Sequence, residues 1–390
     1  MDNYDVVIVG AGFSGSIIAR FFAEKNMKVL LCEKRSHIAG NMYDYINEDG
    51  IRIQKYGPHT FHTNNERVYN YIKNYTELEP YTLKCFAIIN GIETPSPFNF
   101  KTIDQFYSYD DANRLKEKLL NKYPNGQATV LELLNDLDND IKDYAYFLFE
   151  NDYRPYTAKQ WGLDPKDIDP YVLRRVPVIF NYRDTYFNEK YEGIPNNGFT
   201  NLFEKILNHK NIDIKLNCDA LKHISFLDNK ALFDNKEKKI IYTGPIDELF
   251  DYKFGELPYR SLDFKFETIN CKNYQNVAIV AHPKDAEYTR ITEYTKLPYQ
   301  NVGNKTVIAK EYSLDYNKHK DKGKEPYYPI VTEESKKIYS DYLEYSKKYF
   351  NLVLCGRLAD FKYYNMDVVI NRALEICDYL ERNGYATIWV

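Results

Sequence analysis

The sequence predicts an α/β fold, α+β overall, in which a parallel-sheet domain carries a small helical insertion and an antiparallel sheet. Three observations support this class: a strand, glycine turn, helix and strand near residue 1, consecutive short strand patterns over residues 240–312, and a long amphipathic pattern over 366–381. Strands that alternate with helices indicate a parallel sheet, whereas consecutive strands indicate an antiparallel one.

The first forty residues form one βαβ pattern. The β-branched apolar run at 5–9 is too short for a buried helix and predicts a buried strand. Helically spaced apolar residues at 16–26 follow, and a second strand at 28–32 ends on Glu33. Because this pattern starts almost at once, we expect no leader peptide.

The middle of the chain predicts helices first and strands later. Residues 78–150 are mostly helical in pattern, with helices at 115–122 and 130–137 and an exposed charged turn at 138–143. Residues 151–200, rich in proline and aromatic residues, indicate loop and strand. A helix at 201–208 and a strand at 212–216 follow, and antiparallel strands are expected at 240–243, 265–268, 277–280, 288–294 and 306–312.

The C-terminal part returns to alternating elements. It predicts a helix at 332–350, a strand at 352–355 and a helix at 366–381 with Asn365 as its N-cap. We therefore assign residues 1–78, 200–245 and 330–390 to a discontinuous parallel-sheet domain, 79–150 to a helical insertion, and 151–199 with 246–329 to the antiparallel sheet.

Composition excludes several functions. The 390 residues include 52 basic and 56 acidic side chains, a net charge of -4. The chain therefore lacks the excess positive charge that is typical of proteins that bind nucleic acid or anionic lipid. No segment approaches the roughly 20 apolar residues of a membrane span. Six scattered cysteines without metal-like spacing predict a reduced, cytoplasmic protein.

The turn at residues 10–15 (GAGFSG) has the spacing of a dinucleotide fingerprint. Gly10 permits the tight turn, Gly12 lets backbone approach a pyrophosphate, and Gly15 lets helix pack on strand. Glu33 is placed to accept hydrogen bonds from ribose hydroxyls. The context predicts a Rossmann-like domain that binds a dinucleotide at a helix N-terminus.

The rest of the sequence favours FAD over NAD. A basic, glycine-containing segment follows Glu33 (residues 34–41), and a late Gly356-Arg357 turn precedes the last helix. Both features are typical of amine-oxidase-like flavoproteins, and a second glycine fingerprint for a nicotinamide dinucleotide is absent. The positive end of the helix at 366 would stabilise an anionic reduced flavin.

Ten ordered motifs resemble the UDP-galactopyranose mutase family and its relatives acting on other nucleotide sugars. They are GAGFSG (10–15), EKRSHIAGN (33–41), YGPHTFHT (56–63), YTAKQWG (156–162), RRVPV (174–178), NYRDTYF (181–187), YTGPID (242–247), YTRITEY (288–294), EPYYPI (325–330) and GRLADFKYYNMD (356–367).

The resemblance implies an isomerase that interconverts the pyranose and furanose forms of a nucleotide sugar for cell-surface polysaccharide biosynthesis. Reduced FAD would attack the sugar C1 through N5, giving an adduct in which the ring opens and recloses. The family also implies an external reductant, either NADPH or a flavin reductase, and a homodimer. The sequence shows no Ser-His-Asp array, paired carboxylates or metal cluster that would indicate other chemistry.

The resemblance also implies roles for particular residues. Arg290 and Arg357 would neutralise the substrate diphosphate as the catalytic pair, and Arg175 would lie on a mobile loop that closes over substrate. The expected substrate contacts are Tyr156, Thr157, Trp161, Arg175, Tyr186, Arg290, Tyr328, Arg357 and Tyr363. The expected cofactor contacts are Gly10, Gly12, Phe13, Ser14, Gly15, Glu33, Lys34, Asn41, His59, Thr60, His62, Arg357, Tyr364, Asn365 and Met366.

Several alternatives remain open from sequence. Trp161 could be a core aromatic residue, and His59 and His62 could be structural. Val280 and Ile179 stand where galactose enzymes tend to carry Asn and Arg, which would suit a less hydroxylated sugar. The substrate is therefore UDP-galactopyranose, dTDP-fucopyranose or UDP-N-acetylgalactosamine, and the functional alternatives are an amine-oxidase-like flavin oxidoreductase and a non-catalytic binder.

Overall fold

The computed structural model describes residues 3–162 and 176–384. Its helices, numbered in chain order, are α1 (Phe13–Glu24), α2 (Glu66–Lys73), α3 (Phe100–Phe106), α4 (Tyr109–Lys122), α5 (Val130–Leu134), α6 (Asn139–Leu148), α7 (Arg154–Trp161), α8 (Gly198–Leu207), α9 (Ile246–Leu249), α10 (Glu333–Ser346) and α11 (Met366–Arg382). One turn of π-helix, Phe149–Tyr153, joins α6 to α7.

The strands are β1 (Val6–Val9), β2 (Val29–Cys32), β3 (Asp44–Ile46), β4 (Arg52–Gln54), β5 (Phe61–Thr63), β6 (Leu78–Glu79), β7 (Cys85–Ile89), β8 (Ile92–Ser96), β9 (Gln127–Ala128), β10 (Val178–Ile179), β11 (Tyr191–Pro195), β12 (Ile212–Lys215), β13 (Ile224–Leu227), β14 (Lys230–Phe233), β15 (Lys236–Glu237), β16 (Lys239–Tyr242), β17 (Tyr259–Ile269), β18 (Ile279–Ala281), β19 (Arg290–Glu293), β20 (Thr306–Asp315), β21 (Tyr328–Pro329) and β22 (Leu352–Leu354).

A five-stranded parallel sheet in the order β12-β2-β1-β16-β22 forms the first domain. Its central strand β1 is buried: α1 packs on the sheet, and α8 and α11 pack on α1. Segments far apart in sequence therefore build one sheet. This architecture confirms the predicted Rossmann-like domain within a mixed α/β fold.

A seven-stranded sheet in the order β21-β17-β20-β19-β18-β7-β8 forms the second layer. Its long β17 and β20 pair antiparallel from Arg260 opposite Asp315 to Ile269 opposite Thr306. The pairing of β18 with β7 is parallel, whereas the other pairings in this sheet are antiparallel.

The structure differs from the predicted helical insertion at its N-terminal end. Instead of helix, β7 and β8 form a hairpin at the edge of the seven-stranded sheet. Its turn is Asn90-Gly91, both with positive φ (50° and 79°), which is the backbone a tight hairpin requires. The helices of this region begin at Phe100 and enclose a core of their own around α3 to α6.

Two further local predictions are corrected at the starts of helices. The expected charged turn at 138–143 is the start of α6, because the Asp138 side chain accepts hydrogen bonds from the amides of Asp140 and Ile141. Residues 154–161, expected to be loop or strand, form α7. Its proline lies in the first turn, where a missing N–H costs nothing.

Within the described ranges, no helix has the length and apolar character needed to cross a bilayer. The same residues contain no cluster of His, Cys, Asp and Glu that could hold a metal ion.

Candidate functional site

A cavity of about 410 Å³ lies at the carboxyl ends of β1, β2, β16 and β22. The glycines of the first turn shape one wall of it. A Cβ added at Gly15 would lie 1.9 Å from the Gly10 carbonyl oxygen, so Gly15 allows α1 to pack on β1. A Cβ at Gly12 would meet no atom within 4 Å, because Gly12 faces the open cavity. The fingerprint thus leaves backbone exposed where a pyrophosphate would lie.

Two helices begin at this cavity. α1 starts after Gly12 with no side-chain cap and no acidic residue in its first turn. α11 starts after Asn365, which occupies the predicted N-cap position although its side chain does not accept a hydrogen bond from the first-turn amides. Met366 and Val369, from the first turn of α11, line the cavity. The uncapped N-terminus of α1 favours negative charge, so its side of the cavity suits a phosphate group, whereas α11 already carries Asp367 in its first turn.

Glu33 is fixed at the end of β2 by two backbone amides. Its carboxylate oxygens accept hydrogen bonds from the amides of Ala11 (2.9 Å) and Arg35 (3.0 Å), and the side chain lines the cavity. Each carboxylate oxygen has a second lone pair, so Glu33 can still accept from a ligand hydroxyl. The structure thus holds Glu33 in the orientation that the ribose hypothesis requires.

The segment after Glu33 forms the cavity mouth. Lys34 pairs with Glu325 (Nζ to Oε2, 2.6 Å) across the entrance. The Arg35 guanidinium lies 4.4 Å from the Tyr56 ring centroid and donates to Asn41 Oδ1 at 3.0 Å. Both charged side chains are therefore anchored to neighbouring loops.

His59 lies where the cavity meets the seven-stranded sheet. Gln54 grips its backbone: the Oε1 atom accepts from the His59 amide and Nε2 donates to the His59 carbonyl oxygen at 3.0 Å. The His59 Nε2 atom lies 3.2 Å from the Tyr327 hydroxyl. Burial lowers the pKa of His59 to about 3, and Arg357 and Arg290 add to this effect. The imidazole is therefore neutral at physiological pH and does not act as a cation.

Arg357 connects the cavity to a group of aromatic rings. Its Nη2 atom donates to the Tyr364 carbonyl oxygen at 2.7 Å. Its Cζ atom lies 5.5 Å from the ring centroids of both Tyr328 and Tyr363, which stack on each other at 5.1 Å. Trp161 lies 5.9 Å from each of these two tyrosines and is 7 % exposed. Much of the Trp161 indole is thus buried, in keeping with the alternative that Trp161 is a core aromatic residue. Its neighbours Tyr328 and Tyr363 contact Arg357.

Arg290 is held by an acid that the sequence analysis missed. The sheet register places Arg290 on β19 directly opposite Glu311 on β20. Glu311 Oε2 lies 2.8 Å from Arg290 Nε and 2.7 Å from Nη2. Burial opposes the charge on Arg290, but Glu311, Tyr156 and Tyr328 outweigh it, so the pKa is raised well above its usual value. The structure shows no hydrogen bond from Nη1 to any described residue, which leaves that nitrogen for a ligand.

Lys159 fixes α7 against this sheet. Its ammonium donates to three backbone carbonyl oxygens of the loop before Arg290, those of His282 (2.6 Å), Ala286 (2.6 Å) and Tyr288 (3.2 Å). Thr157 is buried on the same helix, and Tyr156 keeps partial exposure close to Arg290. One lysine thus ties the helix that carries Tyr156 to the strand that carries Arg290.

The structure brings together most of the expected site residues, but not all of them. The residues that line the cavity are Gly10, Gly12, Phe13, Ser14, Glu33, Lys34, Asn41, His59, Arg357 and Met366. Gly15 packs behind it, and Thr60, His62, Tyr364 and Asn365 are not part of its lining. Arg175 lies outside the described residues.

His62 and Tyr186 have visible structural contacts. The His62 ring stacks on Phe187 at 3.5 Å, and its Nδ1 atom lies 3.3 Å from Glu189 Oε1. A hydrogen bond from His62 lowers the pKa of Glu189. Tyr186 packs edge-on against Phe187 at 4.8 Å. These contacts favour the structural alternative for His62.

The two substitutions used to argue for a less hydroxylated sugar lie elsewhere in the fold. Val280 is paired with Ile291, the residue after Arg290, so its side chain is on the opposite face of the sheet from Arg290. Ile179 is buried on β10, paired with Gln127 of β9. Neither position faces the arginine, so neither supports a choice of sugar.

The fold and the site define a protein with a Rossmann-type dinucleotide-binding domain beside a group of arginine and tyrosine side chains. Family models match it accordingly: residues 8–75 match the NAD(P)-binding Rossmann-like domain, and residues 151–363 match the UDP-galactopyranose mutase model. The chain belongs to the UDP-galactopyranose mutase family. It is a mutase of the isomerase class, and the family implies a flavin cofactor.

Curated relatives match almost the whole chain. The dTDP-fucopyranose mutase of Escherichia coli is 36% identical over 382 residues, which cover 97% of this chain and 99% of the relative. The probable UDP-galactopyranose mutase of Klebsiella pneumoniae is 35% identical over 387 residues, covering 97% and 95%.

Solved structures match in fold. A reduced UDP-galactopyranose mutase has a TM-score of 0.68 at 16% identity, covering 99% of this chain and 96% of that one. A putative protoporphyrinogen oxidase from Exiguobacterium sp. 255-15 has a TM-score of 0.64 at 14% identity, covering 98% of this chain and 100% of that one. The same architecture thus occurs under both mutase and oxidase names.

Proposed function

We propose that the protein binds FAD in the cavity at the glycine turn and, with the flavin reduced, interconverts the pyranose and furanose forms of a nucleotide sugar. One observation carries the proposal: Arg357 lines the cavity and also contacts Tyr328 and Tyr363 beside it. The Arg357 guanidinium can therefore bind the diphosphate of a nucleotide sugar whose sugar ring lies against the flavin. Charge stabilisation at a departing diphosphate is the main task left to the protein.

The residues present fit FAD. Gly12 offers backbone without a side chain, the N-terminus of α1 offers uncapped amides, and Glu33 offers carboxylate oxygens for the adenosine ribose. Met366 and His59 would lie beside the flavin at the other end of the cavity. Reduced FAD supplies a nucleophilic N5 for the sugar C1.

The chain itself would hold the leaving group. Arg290 has two nitrogens fixed by Glu311 and a third available, so it can bind a phosphate oxygen without reorienting. Arg357 would bind the diphosphate from the cavity side. Tyr328 lies near both arginines and would add a hydroxyl donor, because burial raises its pKa well above the usual value and keeps it protonated.

A product assay tests this function. Purified protein with reduced FAD is incubated with UDP-galactopyranose, dTDP-fucopyranose and UDP-N-acetylgalactosamine, and the nucleotide sugars are separated by chromatography. We expect a furanose product from at least one substrate, with Arg290→Lys as the impaired control. Loaded, reduced protein that converts none of the three would contradict the proposal.

Two functional alternatives are distinguished in the same experiment. The fucopyranose mutase relative makes the dTDP sugar a specific candidate, and relative rates on the three substrates decide between the bases and sugars. The flavin oxidoreductase alternative, which the oxidase-named structural neighbour shares in fold, predicts continuous oxygen consumption with peroxide release. A mutase needs reductant only once per loaded enzyme.

A further inference from the structure

The π-helical turn between α6 and α7 contains a carboxylate that none of the expected roles uses. Asp152 lies in this turn, just before the helix that carries Tyr156. Single π-turns within helices occur frequently at functional sites, since they displace one residue from the regular hydrogen-bond ladder. Asp152 is only partly exposed.

The polar neighbours of Asp152 all have partners. Glu150 pairs with Arg154 through both carboxylate oxygens (3.0 and 3.1 Å). Asn151 Oδ1 accepts from Lys284 Nζ at 2.9 Å, and the Tyr153 hydroxyl donates to the Val176 carbonyl oxygen at 2.9 Å. For Asp152 the described residues provide neither a hydrogen bond nor an ion pair. A half-buried carboxyl that no described residue pairs with is costly unless another group pairs with it, and a ligand is such a group.

The position of Asp152 indicates which part of a ligand it meets. Arg357 lines the cavity, and its guanidinium lies 5.5 Å from the Tyr328 ring. Arg290 is close enough to Tyr328 and Tyr156 for their charges to affect its pKa. Asp152 precedes Tyr156 by four residues in continuous helix, and its charge raises the pKa of Tyr156. If the proposed function holds, the sugar lies at the flavin and the diphosphate at the arginines. The nucleoside then extends past Tyr156, towards Asp152.

We propose that Asp152 binds the polar edge of the nucleobase and thereby sets the affinity for the nucleotide. A carboxylic acid presents a donor and an acceptor side by side. The imide edge of uracil or thymine presents the complementary pair, N3–H and O4. The proposal rests on the proposed function for the direction of the nucleotide and adds a residue that recognises its base.

The protonation state of Asp152 supports this chemistry. Burial raises its pKa to about 7, so the acid form that can donate to O4 is populated at and below neutral pH. Among the described residues, the charged and ionisable groups near it are Glu150, Tyr153, Tyr156, Lys284 and Arg290. Burial raises the pKa of both tyrosines and that of Arg290 is also raised, so these three do not titrate between pH 6 and 8.

A thermodynamic cycle on the FAD-loaded enzyme tests the contact. Calorimetry measures the binding of UDP and of ribose 5-diphosphate, which lacks the base, to wild type, Asp152→Leu and the exposed control Glu150→Leu at pH 6. We expect Asp152→Leu to weaken UDP binding about 3- to 10-fold, the worth of one or two neutral hydrogen bonds. Binding of ribose 5-diphosphate should stay unchanged, and Glu150→Leu should bind both ligands as wild type does.

The outcomes separate the two proposals. Equal weakening for both ligands would place Asp152 on the ribose or the phosphates and overturn the inference, as would unchanged UDP binding. A wild-type enzyme that binds no UDP would instead overturn the proposed function.

A pH series provides the second readout. In the wild type, the affinity for UDP relative to that for ribose 5-diphosphate, which carries the same ionising phosphate, should fall up to about tenfold from pH 6 to pH 8, because the carboxyl ionises through its pKa and loses its donor. Asp152→Asn keeps one donor and one acceptor without titrating, so this ratio should stay flat and close to the wild-type value at pH 6. A parallel pH dependence in Asp152→Asn would contradict the proposal.

Discussion

Gly12 allows the cofactor cavity to be blocked without disturbing the fold. Its φ of -80° suits any amino acid, and an added Cβ would meet no protein atom within 4 Å. The side chain of Gly12→Ala or Gly12→Val would instead project into the cavity, where the glycine turn and the N-terminus of α1 would hold a pyrophosphate. The two variants should therefore bind flavin more weakly, Gly12→Val the more severely, and keep their structure.

The expected magnitudes differ sharply between binding and stability. Forcing one extra methyl group against a well-packed ligand costs about 1–3 kcal/mol, so Gly12→Ala should weaken FAD binding about 5- to 150-fold. Gly12→Val adds two more methyl groups and should be purified without flavin. The unfolding free energy of the apoprotein should fall by less than about 1 kcal/mol, the order of the N-cap difference between glycine and alanine.

Flavin absorbance of the purified variants and thermal unfolding of their apoproteins measure the two effects. Gly15→Ala is the matched contrast, because its Cβ would lie 1.9 Å from the Gly10 carbonyl oxygen and should destabilise the domain itself. A yellow, FAD-saturated Gly12→Val would refute the assignment of the cavity. So would a Gly12→Val apoprotein as unstable as Gly15→Ala.

Three further predictions concern the cleft and His59. Arg290→Lys keeps the positive charge but removes the planar guanidinium that Glu311 holds. The kcat/KM should fall about 10²- to 10³-fold while the flavin content stays full, and near-wild-type turnover would contradict this. Trp161→Phe preserves packing against Tyr328 and Tyr363 but reduces the aromatic surface available for stacking. Titration with UDP should show about 3- to 10-fold weaker binding, and an unchanged affinity would assign Trp161 to the core alone. Because the pKa of His59 is lowered to about 3, the unfolded chain binds its proton first as pH falls. The free energy of unfolding should therefore decline below about pH 6.5 by up to about 1.4 kcal/mol per pH unit. Denaturant titrations at several pH values measure this slope, which His59→Asn should reduce. An identical slope in His59→Asn would show that His59 is not responsible.

The parallel-sheet domain could be predicted because its signals are local. The apolar run of β1, the three glycines and the terminal acid Glu33 all lie within 33 residues, and α11 has an uninterrupted helical pattern. The hairpin of β7 and β8 carried a local signal too, Asn90-Gly91 between apolar runs, but the helical patterns that follow it dominated the interpretation. The start of α7 was not predicted because it contains Pro155, and proline indicates a loop everywhere except in the first turn of a helix.

The candidate site was predicted less completely, since its geometry depends on long-range pairing. Arg290 was found through its motif, but Glu311 lies 21 residues later and becomes its partner only through the register of β19 and β20. The acid has no motif, although a lone glutamate within the buried part of β20 is a signal in itself. Asp152 was missed because its burial, and the absence of a hydrogen bond or ion pair to it from the described residues, are properties of the folded chain that the sequence does not show.

The cross-strand position of Arg290 also limits how the chain can change over time. Side chains alternate between the two faces of a strand, so a one-residue insertion within β19 after Arg290 would shift Arg290 by one position against Glu311 and turn the guanidinium to the other face of the sheet. The connection between β19 and β20, residues 294–305, is not a strand at its exposed tip, so the alternation of side chains does not constrain its length there. It can lengthen without moving the Arg290 guanidinium. Length variation among descendants of this chain should therefore collect in that connection and be absent from the strand.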